Sequence, residues 1–223
     1  MLETIELETG TNPTAAVIWM HGLGADGNDF VPIVNELKLD GAPAIRFIFP
    51  HAPMMPVTIN NGNVMRAWYD VLPGDLTTGV KRVDEPGVRK SQAQVGELIE
   101  REAARGVAHE NIILAGFSQG GAIALQTGLR YPKKLAGVMS LSSYLPCSDS
   151  FDAEASSANK ATALFVAHGT EDPVVPYERG SSTRDLLQQS GYTVEWREYA
   201  MPHSVCLEEV RDIGAWLVRT LRG

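Results

Sequence analysis

The chain has 223 residues, 44% of them hydrophobic, and 27 acidic side chains against 19 Lys and Arg give a net charge of −8. That balance argues against nucleic acid or an anionic membrane surface as partner, since both would repel it. No apolar run approaches the roughly 18 residues of a membrane span, and residues 1–6 (MLETIE) lack the basic and apolar regions of a signal peptide. Cys147 and Cys206 stand in unrelated contexts without metal-ligand spacing, so they read as free thiols in a cytoplasmic chain needing no metal and no cofactor. The length suits one domain spanning 1–223, with a homodimer left open. In chain order, residues 2–7 suggest an extra edge strand, followed by a strand at 15–20, a helix near 28–37 and a strand at 45–49. A long connection, 51–86, leads to a helix near 87–105 that Pro86 opens and whose apolar face is Val88, Val95, Leu98 and Ile99. Strands follow at 112–115, 136–142, 163–168 and 193–199, with helices after 118, near 177–190 and from about 207 to 217. The polar stretch 148–160 reads as an exposed, mobile loop. Strands alternating with helices predict an α/β fold, a mostly parallel sheet covered on both faces, without a large lid domain.

The densest chemical signal is Gly116-Phe117-Ser118-Gln119-Gly120-Gly121, between the apolar run 112–115 and the apolar run 122–125. The pentapeptide pattern is weak alone, because Gly and Ser are common. A strand before and a helix after make it a nucleophile elbow, in which a strained turn lifts the serine hydroxyl clear of the backbone. The helix N-terminus behind it supplies free N–H groups where negative charge develops.

Such a serine needs an acid and then a histidine, each in a loop after a later strand. The strand at 163–168 runs into His168-Gly169-Thr170-Glu171-Asp172-Pro173, and the strand at 193–199 into Ala200-Met201-Pro202-His203-Ser204. Ser118 is therefore assigned as nucleophile, His203 as general base then acid, and Asp172 as the residue that orients His203. Among the rivals, His109 reads as surface, His51 precedes the serine, and His168 fits better as a hydrogen-bonding partner of the acid loop. Glu171 reads as a solvated loop charge, whereas Asp172 is fixed by Pro173.

The strand at 15–20 leads into His21-Gly22-Leu23-Gly24-Ala25-Asp26-Gly27, three glycines in six residues that let the backbone approach a substrate. Leu23 N–H and Gln119 N–H are the expected oxyanion donors. The same glycines superficially fit a dinucleotide cradle. That reading leaves the elbow, acid and histidine without a role, and no acidic residue closes a clean second strand about twenty residues on.

HGLGADGNDF, GFSQGG, HGTEDPVVP and MPHSV, with Arg66-Ala67-Trp68-Tyr69-Asp70, together resemble the carboxylesterase and acyl-protein thioesterase family of small α/β-hydrolases. The resemblance covers about residues 15–221 and looks nearer to the bacterial carboxylesterases than to the eukaryotic thioesterases. It implies the α/β-hydrolase fold, Ser118, Asp172 and His203 as triad, and Leu23 and Gln119 as oxyanion donors. Pro202 departs from the glycine common before that histidine; it stiffens the loop and removes nothing the chemistry uses.

A connection as long as 51–86 inside a compact domain is usually functional, and this one is rich in large apolar side chains. Met65, Trp68 and Leu72, with Leu23, Phe117 and Val174, are candidates for an apolar acyl groove, Trp68 being also the strongest candidate for the core. The expected activity is hydrolysis of short to medium acyl esters, small-molecule substrates, through an acyl-enzyme. The alternative is an acyl-protein thioesterase or lysophospholipase with the same triad. A catalytically silent binding module on this scaffold is the remote alternative.

Overall fold

The computed structural model describes residues 1–74 and 83–222. Its strands are β1 (Thr4–Glu8), β2 (Ala15–Met20), β3 (Ile45–Pro50), β4 (Met54–Val57), β5 (Asn63–Arg66), β6 (Ile112–Phe117), β7 (Gly137–Leu141), β8 (Ala163–Gly169) and β9 (Val194–Tyr199). The helices are α1 (Glu85–Ala104), α2 (Gln119–Gly128), α3 (Phe151–Glu154), α4 (Tyr177–Gln189) and α5 (Leu207–Leu221). Seven strands form one sheet in the order β1-β3-β2-β6-β7-β8-β9, with only β1 antiparallel to its neighbour. β4 and β5 form a separate antiparallel hairpin.

Every residue of β2 is buried, and its side chains divide by parity. Ala16, Ile18 and Met20 join the core beneath α1 and α2, while Ala15, Val17 and Trp19 join a second core with Ile213, Trp216 and Leu217 of α5. Burial on both faces turns the alternating pattern of a strand into a continuous apolar run. α1 buries Val88, Val95, Leu98 and Ile99, as the pattern predicts, and the Asp84 carboxylate caps it by accepting from Gly87 N–H at 3.1 Å. β3 and β6 flank β2, so the chain leaves β2 on opposite sides. The carboxyl ends of β2 and β6 border the crevice that such a reversal opens.

Three expectations are corrected. The helix near 28–37 is only a 3-10 turn, Val31–Asn35, without a side-chain cap at its start. Residues 148–160 are not an exposed loop. Phe151 and Asn159 are fully buried there, Asn159 accepting from Leu135 N–H and donating to the carbonyls of Tyr131 and Lys133. The connection 51–86 folds back as the β4–β5 hairpin, and its residues 75–82 lie outside those described.

Glu209, in the first turn of α5, is fully buried, and among the described residues the Cys206 backbone N–H is the one donor near its carboxylate, without well-formed hydrogen-bond geometry. Burial pushes its carboxyl up to about 8, against a partial offset from Cys206 N–H and a further push from Asp212. The unfolded chain releases this proton at ordinary carboxyl pH whereas the folded chain retains it, so stability falls as pH rises from about 5 to about 8. Glu209→Gln is expected to flatten that slope and to raise the melting temperature at pH 8 more than at pH 5. Melts across that range check this; an unchanged slope would sink it.

Candidate active site

Ser118 joins β6 to α2 with φ 53° and ψ −121°, a left-handed backbone conformation costing about 1–3 kcal/mol in a non-glycine residue. Neighbours hold it there. Its N–H donates to Leu141 O at 2.8 Å, and Ser143 Oγ donates to its carbonyl at 2.6 Å. Close approach requires the flanking glycines: a Cβ on Gly116 would lie 2.2 Å from the Gly120 carbonyl carbon, and one on Gly120 2.2 Å from Met20 O. Backbone meets backbone at both points, so no rotamer change relieves the clash.

The acid and histidine loops meet at the ends of β8 and β9, which run side by side with Gly169 opposite Tyr199. His203 Nδ1 lies 2.6 Å from Asp172 Oδ2, while Asp172 Oδ1 accepts from the N–H groups of Val174 and Val175 at 2.8 and 2.9 Å. Burial works to raise the Asp172 carboxyl. The hydrogen bonds from His203, Val175 and Val174 outweigh it and hold the group below the ordinary carboxylate range. Glu171, the rival acid, is exposed. The Phe117 ring packs on the His203 imidazole at a centroid distance of 4.6 Å.

On the other side, Gly22 approaches the elbow so closely that a Cβ there would sit 3.4 Å from Ser118 Cβ. Neither Leu23 N–H nor Gln119 N–H donates a hydrogen bond among the described residues, whereas Gly24 N–H is taken by Arg66 O. Two free donors therefore flank Ser118. No group of three or more His, Cys, Asp or Glu side chains among the described residues is placed to hold a metal ion. No described helix is long and apolar enough to cross a membrane.

The profile of the phospholipase/carboxylesterase family matches residues 4–221, nearly the whole chain. This chain belongs to that family. It is 42% identical over 214 residues to acyl-protein thioesterase 1 of Neurospora crassa, covering 93% of this chain and 87% of that protein. It is 36% identical over 208 residues to carboxylesterase SOBER1 of Arabidopsis thaliana, covering 93% of this chain and 91% of that one. The crystal structure of SOBER1 superposes with a TM-score of 0.85 at 36% identity, over 93% of this chain and 99% of that structure. The chain is thus a serine hydrolase with the α/β-hydrolase fold.

Several supports of the site have no motif of their own. His21 Nε2 accepts from Ala52 N–H at 3.1 Å, so Nδ1 carries the proton and donates to Gly22 O at 2.7 Å. Burial lowers the basicity of this ring, which keeps that neutral tautomer. The Gln119 side chain accepts from Trp68 N–H at 2.8 Å and donates to Tyr69 O at 2.7 Å, tying the elbow to the segment after β5. Trp68 is accordingly removed from the proposed groove. It is 2% exposed, its Nε1–H donates to His21 O at 2.8 Å, and Ser91 Oγ donates to its carbonyl.

The other groove candidates divide. Met65 is partly buried in a small cluster with Leu23 and Met55, over the loop bearing the Leu23 donor. Val174 is 46% exposed beside Asp172, Leu72 is half-buried, and Phe117 faces His203. A cavity of about 800 Å³ lies instead beyond Tyr144, whose hydroxyl is 2.9 Å from that of Tyr69. Leu145, Pro146, Arg179 and Leu186 line it, and Ser118, Asp172 and His203 do not.

Proposed function

We propose that Ser118, His203 and Asp172 act as a catalytic triad, with Leu23 and Gln119 N–H as the oxyanion hole, in a carboxylesterase for short to medium acyl esters. The observation that carries this reading is the strained Ser118, flanked by two free N–H donors, on the same edge of the sheet as a His203–Asp172 pair 2.6 Å apart. His203 Nε2 takes the serine proton as Oγ attacks the ester carbonyl, and the two N–H groups hold the oxyanion. The imidazolium, held by Asp172, passes its proton to the departing alcohol. Water then repeats the sequence on the acyl-enzyme. Asp172 suits its role because its carboxyl stays ionised throughout the neutral range. The enzyme acts as one domain over 1–223, in the cytoplasm, on small acyl substrates and not on nucleic acid.

A second reading keeps the same residues and changes the bond. The 42% identity to acyl-protein thioesterase 1 of Neurospora crassa supports this reading. A thioester carbonyl is attacked in the same way, so the triad does not separate the two. An acyl-chain series of matched oxoesters and thioesters does. Faster turnover of every oxoester supports the carboxylesterase reading, and the reverse ranking overturns it in favour of the thioesterase. Within that series, Met65→Ala and Leu72→Ala are expected to shift chain-length preference several-fold per carbon, at about 1 kcal/mol per methylene, with little change in melting temperature. An unchanged C4, C8 and C12 profile in both variants places the acyl site elsewhere.

A further inference from the structure

We propose that His168 is a positioning residue for the acid of the triad, holding Asp172 toward His203. The inference rests on the triad reading above. His168 is the penultimate residue of β8 and is fully buried, four positions before Asp172. Its Nε2 lies 2.9 Å from Val175 O and 3.6 Å from Asp172 Oδ2, the same carboxylate oxygen that receives His203.

These contacts close a ring. His168 Nε2–H donates to the Val175 carbonyl, Val175 N–H donates to Asp172 Oδ1, and Asp172 Oδ2 lies 3.6 Å from His168 Nε2, in van der Waals contact and too far for a hydrogen bond. A carboxylate turning about its Cβ–Cγ bond must break this arrangement before it can leave His203.

The packing also selects the form of the ring. Nδ1 is buried without a hydrogen-bond partner, against a helix position where only glycine fits: a Cβ on Gly180 would lie 2.3 Å from it. A proton on Nδ1 would be stranded there, so the proton sits on Nε2 and the ring stays neutral. Burial pushes the imidazole down in the same sense, against the pull of Val175 O and Asp172 and with a small push from His203. A neutral ring donating to Val175 O fixes the turn whose N–H groups hold the carboxylate, without placing a full positive charge beside it. Lys or Arg at this place would compete with the imidazolium of His203 for the same oxygen.

The test is a double-mutant cycle read in kcat and KM on p-nitrophenyl butyrate, with melts to confirm folding. His168→Leu is expected to lower kcat about tenfold or more with KM nearly unchanged. His168→Gln, whose amide N–H replaces Nε2–H, is expected to recover most of that loss. In an Asp172→Asn background the same His168→Leu change is expected to cost less than about threefold, because its route to the reaction is already cut. An equal loss in both backgrounds, or no recovery by Gln, overturns the positioning role. If His168→Leu does not fold, His168→Asn, too short to reach Val175 O, takes its place in the cycle. Failure of the triad reading has a different signature: Glu171→Gln would then be crippling and Asp172→Asn mild.

Discussion

Ser118→Ala is expected to lower kcat for a p-nitrophenyl ester by on the order of 10⁴-fold or more while leaving the melting temperature almost unchanged. The asymmetry follows from where the hydroxyl sits. The backbone at 118 is held by its N–H to Leu141 O and by Ser143 Oγ on its carbonyl, neither of which uses the serine side chain. His203→Ala is expected to be about as damaging, and the double variant little worse than either single one, because nucleophile and base act as a unit. An organophosphonate is expected to label Ser118 and no other serine, read by peptide mass. Retained turnover in Ser118→Ala, or a label elsewhere, would end the assignment of the nucleophile.

The parts of this site that were legible in the sequence are those whose cause is local. A buried strand, two pinching glycines and a helix start must be consecutive to make an elbow, and Gly116 and Gly120 are placed where backbone meets backbone. The acid and the histidine each follow a strand directly, so their order survives in the linear chain. What was not legible depends on contacts between distant residues. The Gln119 side chain meets Trp68 and Tyr69, some fifty positions away, and His21 takes its tautomer from Ala52, thirty-one positions on. Composition misled at 148–160, where a polar stretch hides one buried aromatic ring and an asparagine that ties three backbone groups together. The alternation of strands and helices misled at 28–37, where a helix is expected and only a 3-10 turn forms. At 148–160 tertiary partners, invisible to a local pattern, decide the outcome, whereas at 28–37 the start of the turn lacks a side-chain cap.

Trp68→Ala is expected to cost roughly 3–5 kcal/mol of stability and lower the melting temperature by about 10 °C. Two losses combine in that figure. The indole leaves a cavity in the core shared with α1 and α2, and its departure strands His21 O, which accepts from Nε1–H at 2.8 Å. Because His21 also donates to Gly22 O beside the Leu23 donor, the folded fraction of the variant is expected to lose kcat as well. Its ranking of C4, C8 and C12 esters should not move. Trp68→Phe separates the two losses: the ring volume is nearly kept, the hydrogen bond is not, and a cost of about 1–3 kcal/mol is expected. Melts and chain-length profiles on the same preparations read both. A Trp68→Ala protein that melts like the parent and prefers a longer acyl chain would return this side chain from the core to the substrate groove.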